Sequence, residues 1–149
     1  MTEVLFYHLE RRSLEDVLPV LLMKTLERGW RAVVQVGSPE RLEALNRHLW
    51  SFDEDSFLPH GSREDGYAEL QPIWLTEGED NPNGSQIRFL VDGAVMGDVS
   101  AYLRAVHIFD GRDEIALARA RDDWKRARSA GHDVTYWQQN NAGRWERKA

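Results

Sequence analysis

The 149-residue chain contains no cysteine. This excludes disulfides, thiolate zinc sites and a cysteine nucleophile, and fits a reducing compartment such as the cytoplasm. It also lacks an unbroken apolar run of the ~18 residues that a membrane span needs, so no membrane partner is expected. The opening Met1-Thr2-Glu3-Val4-Leu5-Phe6-Tyr7 has no basic region of the kind that starts a signal peptide. Phosphate-binding loops are missing too. No GxxxxGK[ST] segment occurs, and the first strand-to-helix turn, Leu9-Glu10-Arg11-Arg12-Ser13, has no glycine to let the backbone approach a pyrophosphate. There is no Gly-x-Ser-x-Gly elbow. The histidines, His8, His48, His60, His107 and His132, include no pair at the i, i+4 spacing of a helical metal site. Glu77, Glu79 and Asp80 fall in a Gly/Asn/Pro turn, where a solvated hairpin is a simpler reading than a cation site. No catalytic residue, cofactor or metal ligand is assigned on these grounds. A small α/β enzyme whose site residues converge from distant positions stays open as an alternative.

What is present is an ordinary globular composition, 42% hydrophobic and 30% charged, in a chain long enough for one real core. Val4 to Tyr7 reads as a buried strand. Leu14, Val17, Leu18, Leu21 and Leu22 recur at helical spacing over 13–28, with Ser13 as cap, Gly29 as stop, and Pro19 either opening or kinking the helix. A second strand spans 30–36. A second helix follows, with Ser38 as cap, Pro39 in its first turn, and Leu42, Leu45 and Leu49 facing inward. Further strands are expected at 68–76, 87–91 and 106–109, with a short helix around Val99, Leu103 and Val106. A long helix then runs to about Ala130, stopped by Gly131. On this helix Ile115, Ala116, Ala120 and Ala127 form the face available to a sheet. Strands alternating with helices indicate an α/β fold with a mainly parallel sheet. Residues 1–131 are expected to form a single domain, and residues 132–149 a basic aromatic tail packed on it or trailing from it.

Charge is unevenly spread. The chain carries a net −6, yet the segment from Arg119 to Ala149 holds eight Lys/Arg against four Asp/Glu, together with Trp124, Trp137 and Trp145. Arg121, Trp124, Lys125 and Arg128 stand at i, i+3, i+4 and i+7 and so share one helix face. Three cations around a large aromatic suit an acidic peptide with an apolar end. The same pattern also describes a solvated amphipathic helix with Trp124 half in the core. A second candidate is Trp50 with Phe57, Leu58, Pro59 and His60, which reads equally as an aromatic protein-binding patch or as a satellite core under a loop. A third reading is direct binding of single-stranded nucleic acid by the basic tail, with stacking on Trp137 or Trp145.

Several landmarks in order carry a resemblance. They are Phe6-Tyr7-His8-Leu9, Arg28-Gly29-Trp30-Arg31-Ala32-Val33, Leu45 to Trp50 followed by Ser56-Phe57-Leu58-Pro59-His60, and Ala120-Arg121-Asp122-Asp123-Trp124-Lys125 through Gly131. Together they resemble the chi subunit of bacterial DNA polymerase III holoenzyme. The stretches Gln71-Pro72-Ile73-Trp74-Leu75-Thr76 and Asn81 to Gly93 are similar to its alphaproteobacterial branch. The resemblance implies a Rossmann-like three-layer fold without a working nucleotide site. It implies a non-catalytic accessory subunit of the clamp-loader complex in DNA replication that needs no cofactor and meets DNA only indirectly. The implied partner is the acidic C-terminal tail of single-stranded-DNA-binding protein (SSB), which ends in Pro-Phe. The matching contacts are Arg121, Trp124 (where the family pattern has tyrosine) and Lys125; Arg128 is added by helical spacing. The chain departs from the pattern at Leu117, where a further cation is expected and for which Arg119 or Arg112 could substitute. A psi subunit, or a lineage-specific replacement, is implied at Trp50 and Phe57.

Overall fold

The computed structural model describes residues 2–53 and 57–149. Residues 54–56, which include Ser56 of the Ser56-Phe57-Leu58-Pro59-His60 landmark, lie outside the described residues. The elements run in the order β1 (Glu3–Leu9), α1 (Leu14–Glu27), β2 (Ala32–Val36), α2 (Pro39–Ser51), β3 (Ile73–Thr76), β4 (Ile87–Val91), β5 (Arg104–Asp110), α3 (Glu114–Ser129), β6 (Asp133–Gln139) and β7 (Trp145–Arg147). A 3-10 turn at Ala68–Leu70 takes up the first part of the stretch expected as the third strand. The strands form one sheet in the order β3-β2-β4-β5-β1-β6-β7, parallel throughout except for β7 against β6.

Alternation along the strands divides the core into two halves. Leu5 and Leu9 of β1 face the side covered by α1 and α2, in a cluster with Leu18, Leu22, Leu45 and Leu49. Val4 and Phe6 face the other side, where Ala120 and Ala127 of α3 pack. The result is a three-layer α/β fold. The central strands β2 and β4 are buried along their whole length, as expected for parallel strands covered on both faces. Their polar members satisfy one another: Arg88 donates to Gln35 Oε1 at 2.7 Å and to the Tyr102 hydroxyl at 3.0 Å.

The helix starts form as their side chains dictate. Ser13 accepts from the Asp16 amide, Ser38 from the Arg41 amide, and Asp113 from the amides of Ile115 and Ala116. Pro19 lies inside α1, which runs on through it. Proline has no N–H to offer the Glu15 carbonyl four residues back. That carbonyl instead accepts from His48 Nε2 of α2 at 2.7 Å, so the helix-breaking residue becomes a tie between α1 and α2.

The short helix expected around Val99 does not form; turns and bends occupy the segment. The Asp98 carboxylate accepts from both the amide and the hydroxyl of Ser100, holding a local turn that competes with helix. The carbonyls of Val99 and Tyr102 accept from the buried Thr2 hydroxyl, and β5 begins at Arg104.

Replacing His48 with alanine should leave the Glu15 carbonyl without its partner and lower unfolding stability by about 1–2 kcal/mol. Urea unfolding of the two proteins checks this, and equal midpoints would remove the tie from the account.

Candidate functional site

A topological switch point of the sheet sets where ligands are sought. The neighbours β1 and β5 send their connections in opposite directions, β1 through α1 to β2 and β5 through α3 to β6. In open α/β sheets such a divergence opens a crevice at the carboxyl ends of the strands. Here it holds a cavity of about 700 Å³, reached by Leu9, Ser13, Asp110 and Asp113. In nucleotide binders a phosphate sits at the helix N-terminus facing this crevice. In this chain the α3 N-terminus is filled by the Asp113 carboxylate, and the α1 N-terminus by the Ser13 hydroxyl. Asp92 and Glu15 share Arg41 at 3.1 and 3.2 Å. Arg112 holds the Asp110 carboxyl below its ordinary range through side-chain and backbone hydrogen bonds. The crevice therefore presents carboxylates, the engaged Arg41 and Arg112, and at its edges Arg12 and Arg119, which have no ion-pair partner among the described residues.

The outer side of α3 is different. Arg121, Lys125 and Arg128 are exposed, and among the described residues none has a carboxylate within ion-pair distance. Trp124 between them is half-buried. Its ring meets Phe6 of β1 edge-on at 5.7 Å and Tyr136 of β6 at 5.8 Å, and the Arg128 guanidinium lies 5.8 Å from its centroid. A polar chain continues under the aromatic group. The Tyr136 hydroxyl lies 2.7 Å from His8 Nδ1, His8 Nε2 is 3.2 Å from Glu10, and Gln138 donates to Glu10 at 2.8 Å. Burial pushes the Tyr136 hydroxyl pKa up, against a lowering influence from Arg121. The phenol thus stays a neutral hydrogen-bonding group close to the cationic face.

The inward face of α3 corrects one expectation. Ala120 and Ala127 are buried on the sheet as expected, but Ile115 is 68% exposed, because it sits in the first turn beside the crevice rather than over the strands. Trp124 does contribute to packing. So does Leu117, which is partly buried against the same cluster. That position serves the core, so a lysine or arginine there would have to leave its ammonium or guanidinium near apolar groups. Arg112, one candidate substitute, is engaged with Asp110 at 3.1 Å. Arg119 lines the crevice, with no ion-pair partner among the described residues.

Asp123 is a site residue that sequence reasoning passed over. It is 6% exposed, pairs with Arg126 one turn on, and lies 3.5 Å from His107 Nδ1 of β5. This contact fixes the rotation of α3 and hence the outward aim of Arg121 and Lys125. The i, i+3 spacing of Asp123 and Arg126 was the available signal.

The second candidate set divides in space. Trp50 is 49% and Phe57 73% exposed, with ring centroids 5.7 Å apart. Leu58 and His60 point inward, 2% and 3% exposed, and His60 Nδ1 donates to the Leu58 carbonyl at 2.7 Å. Pro59 is half-buried between them. Trp50 also rests on the His60 ring at 4.2 Å, so the buried half of the set supports the exposed half. Trp137 and Trp145, named for the nucleic-acid reading, are both half-buried. Trp137 donates to the Thr135 hydroxyl, and Trp145 stacks on Tyr7 at 4.6 Å.

Burial pushes His107 below its ordinary pKa of 6.5, outweighing the raising influence of Asp123. The fold therefore binds neutral imidazole, and as pH falls below 6.5 the unfolded chain takes up the proton first. The stability that His107 contributes is complete above that pH and is lost on acidification toward the depressed folded value. Urea midpoints measured from about pH 7.5 down to about pH 5 should fall, and His107→Gln should flatten part of that fall. An unchanged slope in the variant would exclude His107 as a source.

Comparison with known proteins bears on the chain as a whole. The family model described as DNA polymerase III chi subunit, HolC, matches residues 1–135. A protein of Rickettsia prowazekii (strain Madrid E) named "Probable DNA polymerase III subunit chi" is 26% identical over 107 residues, covering 70% of this chain. The matched part spans 65% of that relative's length.

Proposed function

The chain belongs to the DNA polymerase III chi subunit family, and we propose that it is a non-catalytic accessory subunit of the replisome. In this reading it binds the acidic C-terminal tail of SSB and links it to the clamp-loader complex in the cytoplasm, meeting DNA only through its partners. One observation carries the proposal. Trp124 is held edge-on by Phe6 and Tyr136, and Arg121, Lys125 and Arg128 surround it with no carboxylate within ion-pair distance among the described residues. Carboxylates of the tail would pair with the cations, bidentately at the arginines. The terminal phenylalanine would lie against the exposed part of the Trp124 ring. The indole is fixed by its packing, so little rotamer freedom is lost when a ligand lands on it.

The exposed pair Trp50 and Phe57 is proposed as the seat of a second protein, psi or a lineage-specific replacement. Leu58 and His60 anchor the segment from beneath, and Pro59 stiffens it. Large aromatics clustered on a rigid support are favoured as interface anchors. Because α2 and α3 cover opposite faces of the sheet, both partners could bind at once. That suits an adaptor.

Arg121→Ala should weaken binding of an SSB-tail peptide by about 1–3 kcal/mol in a fluorescence-anisotropy titration, and removing the peptide's terminal phenylalanine should weaken it comparably. Equal affinity for peptides with and without that phenylalanine would sink the proposed pocket. Trp124→Ala is a poorer test, because it also removes core packing against Phe6 and Tyr136.

A further inference from the structure

On the face of the sheet opposite α3, a groove of about 340 Å³ runs between α1 and strands β4, β5, β1 and β7. Its floor is apolar: Leu5, Val17, Phe89 and Val106 at the base are buried core residues, and Val20, 46% exposed, with half-buried Leu21 gives the apolar surface open to a ligand. Arg12, Lys24, Arg28 and Arg104 stand around it, and among the described residues no Asp or Glu lines it. In a chain of net charge −6 that is a local reversal of sign. Arg104 is 2.8 Å from Glu3 at one end. Arg12, Lys24 and Arg28 are exposed and have no carboxylate within ion-pair distance among the described residues. Trp145 of β7 forms part of the wall against α1. It lies beyond residue 135, where the family match ends, so this wall is not part of what the family model describes.

We propose that this groove is a second docking site, separate from the α3 surface, for an acidic peptide segment carrying a bulky apolar side chain. The cations answer the acidic residues, and the apolar floor takes the side chain. The volume suits one or two side chains, at the low end for ligand pockets. A nucleic-acid strand fits the same cations but not the aromatics. Bases bind such grooves by stacking on open ring faces. Here Tyr7 and Trp145 are stacked on each other, 4.6 Å apart and 28° from parallel. The Trp30 ring has the Arg28 guanidinium 5.1 Å and the Arg104 guanidinium 5.4 Å from its centroid. The ring surface that stacking needs is largely spent within the protein, while Val20 and Leu21 keep aliphatic surface open to a ligand.

The test uses the full chain carrying Arg121→Glu, so that the α3 surface is disabled and the outcome is independent of the SSB-tail reading. A fluorescein-labelled, C-terminally amidated peptide, Asp-Asp-Asp-Leu-Phe-Asp-Asp, is titrated by anisotropy. Saturable binding is expected, weakened at least about tenfold by adding Lys24→Glu with Arg28→Glu, and comparably by adding Trp145→Ala. The two charge changes are at exposed positions and leave the core intact. Replacing Leu-Phe in the peptide by Ser-Ser should also weaken binding about tenfold. Absence of binding, or binding indifferent to Lys24→Glu with Arg28→Glu, would overturn the proposal. An oligo-dT strand that binds this groove more tightly than the peptide would overturn it as well, making the surface a nucleic-acid site.

Discussion

The close approach of α3 to the sheet is the contact on which the candidate site depends. Ala120 and Ala127 meet the strands with almost no side chain, which brings the helix near enough to bury both fully. A single helix then covers β5, β1 and β6, and its one large aromatic cannot fit underneath. Trp124 is forced to the margin, half in the core against Phe6 and Tyr136 and half in solvent. The buried contact of Asp123 with Arg126 and His107 sets the rotation of the helix about its axis. With distance and rotation both fixed, the three cations emerge on the outer side as a consequence of packing.

The same geometry accounts for how charge is used. The protein is acidic overall, and its switch-point crevice carries carboxylates at the place where related architectures hold phosphate. Beyond Arg119 in the crevice, positive charge unpaired among the described residues gathers at two separate surfaces, the outer side of α3 and the groove along α1. Each is built around tryptophan, and they lie on opposite faces of the sheet. Long-range attraction to nucleic acid is weak in such an arrangement, while short acidic segments can be held locally.

Much of the layer structure was legible in the chain. The caps Ser13 and Ser38 and the stop at Gly131, whose φ of +84° suits a residue without a Cβ, follow from local rules that tertiary contacts did not override. The helix expected at Val99 failed because Asp98 and Ser100 close a turn with each other, a contest that apolar spacing cannot see. The strand character of Asp133–Gln139 was hidden for another reason. Val134 and Tyr136 face one core and Trp137 the other, so the alternation of Asp133-Val134-Thr135-Tyr136 breaks after four residues. At the site, helical spacing placed Arg121, Trp124, Lys125 and Arg128 together. It could not show that Trp124 leans on residues more than 100 positions away in sequence at Phe6, or that Ile115 would face solvent.

The central claim is that an acidic tail lands on the outer side of α3. The side-chain indole resonances of 15N-labelled protein test it most directly, since the tryptophans report separately from each surface. Titration with the SSB-tail peptide should shift the Trp124 indole signal and leave those of Trp50 and Trp145 in place. A peptide that moved Trp50 or Trp145 while Trp124 stayed unchanged would contradict the account.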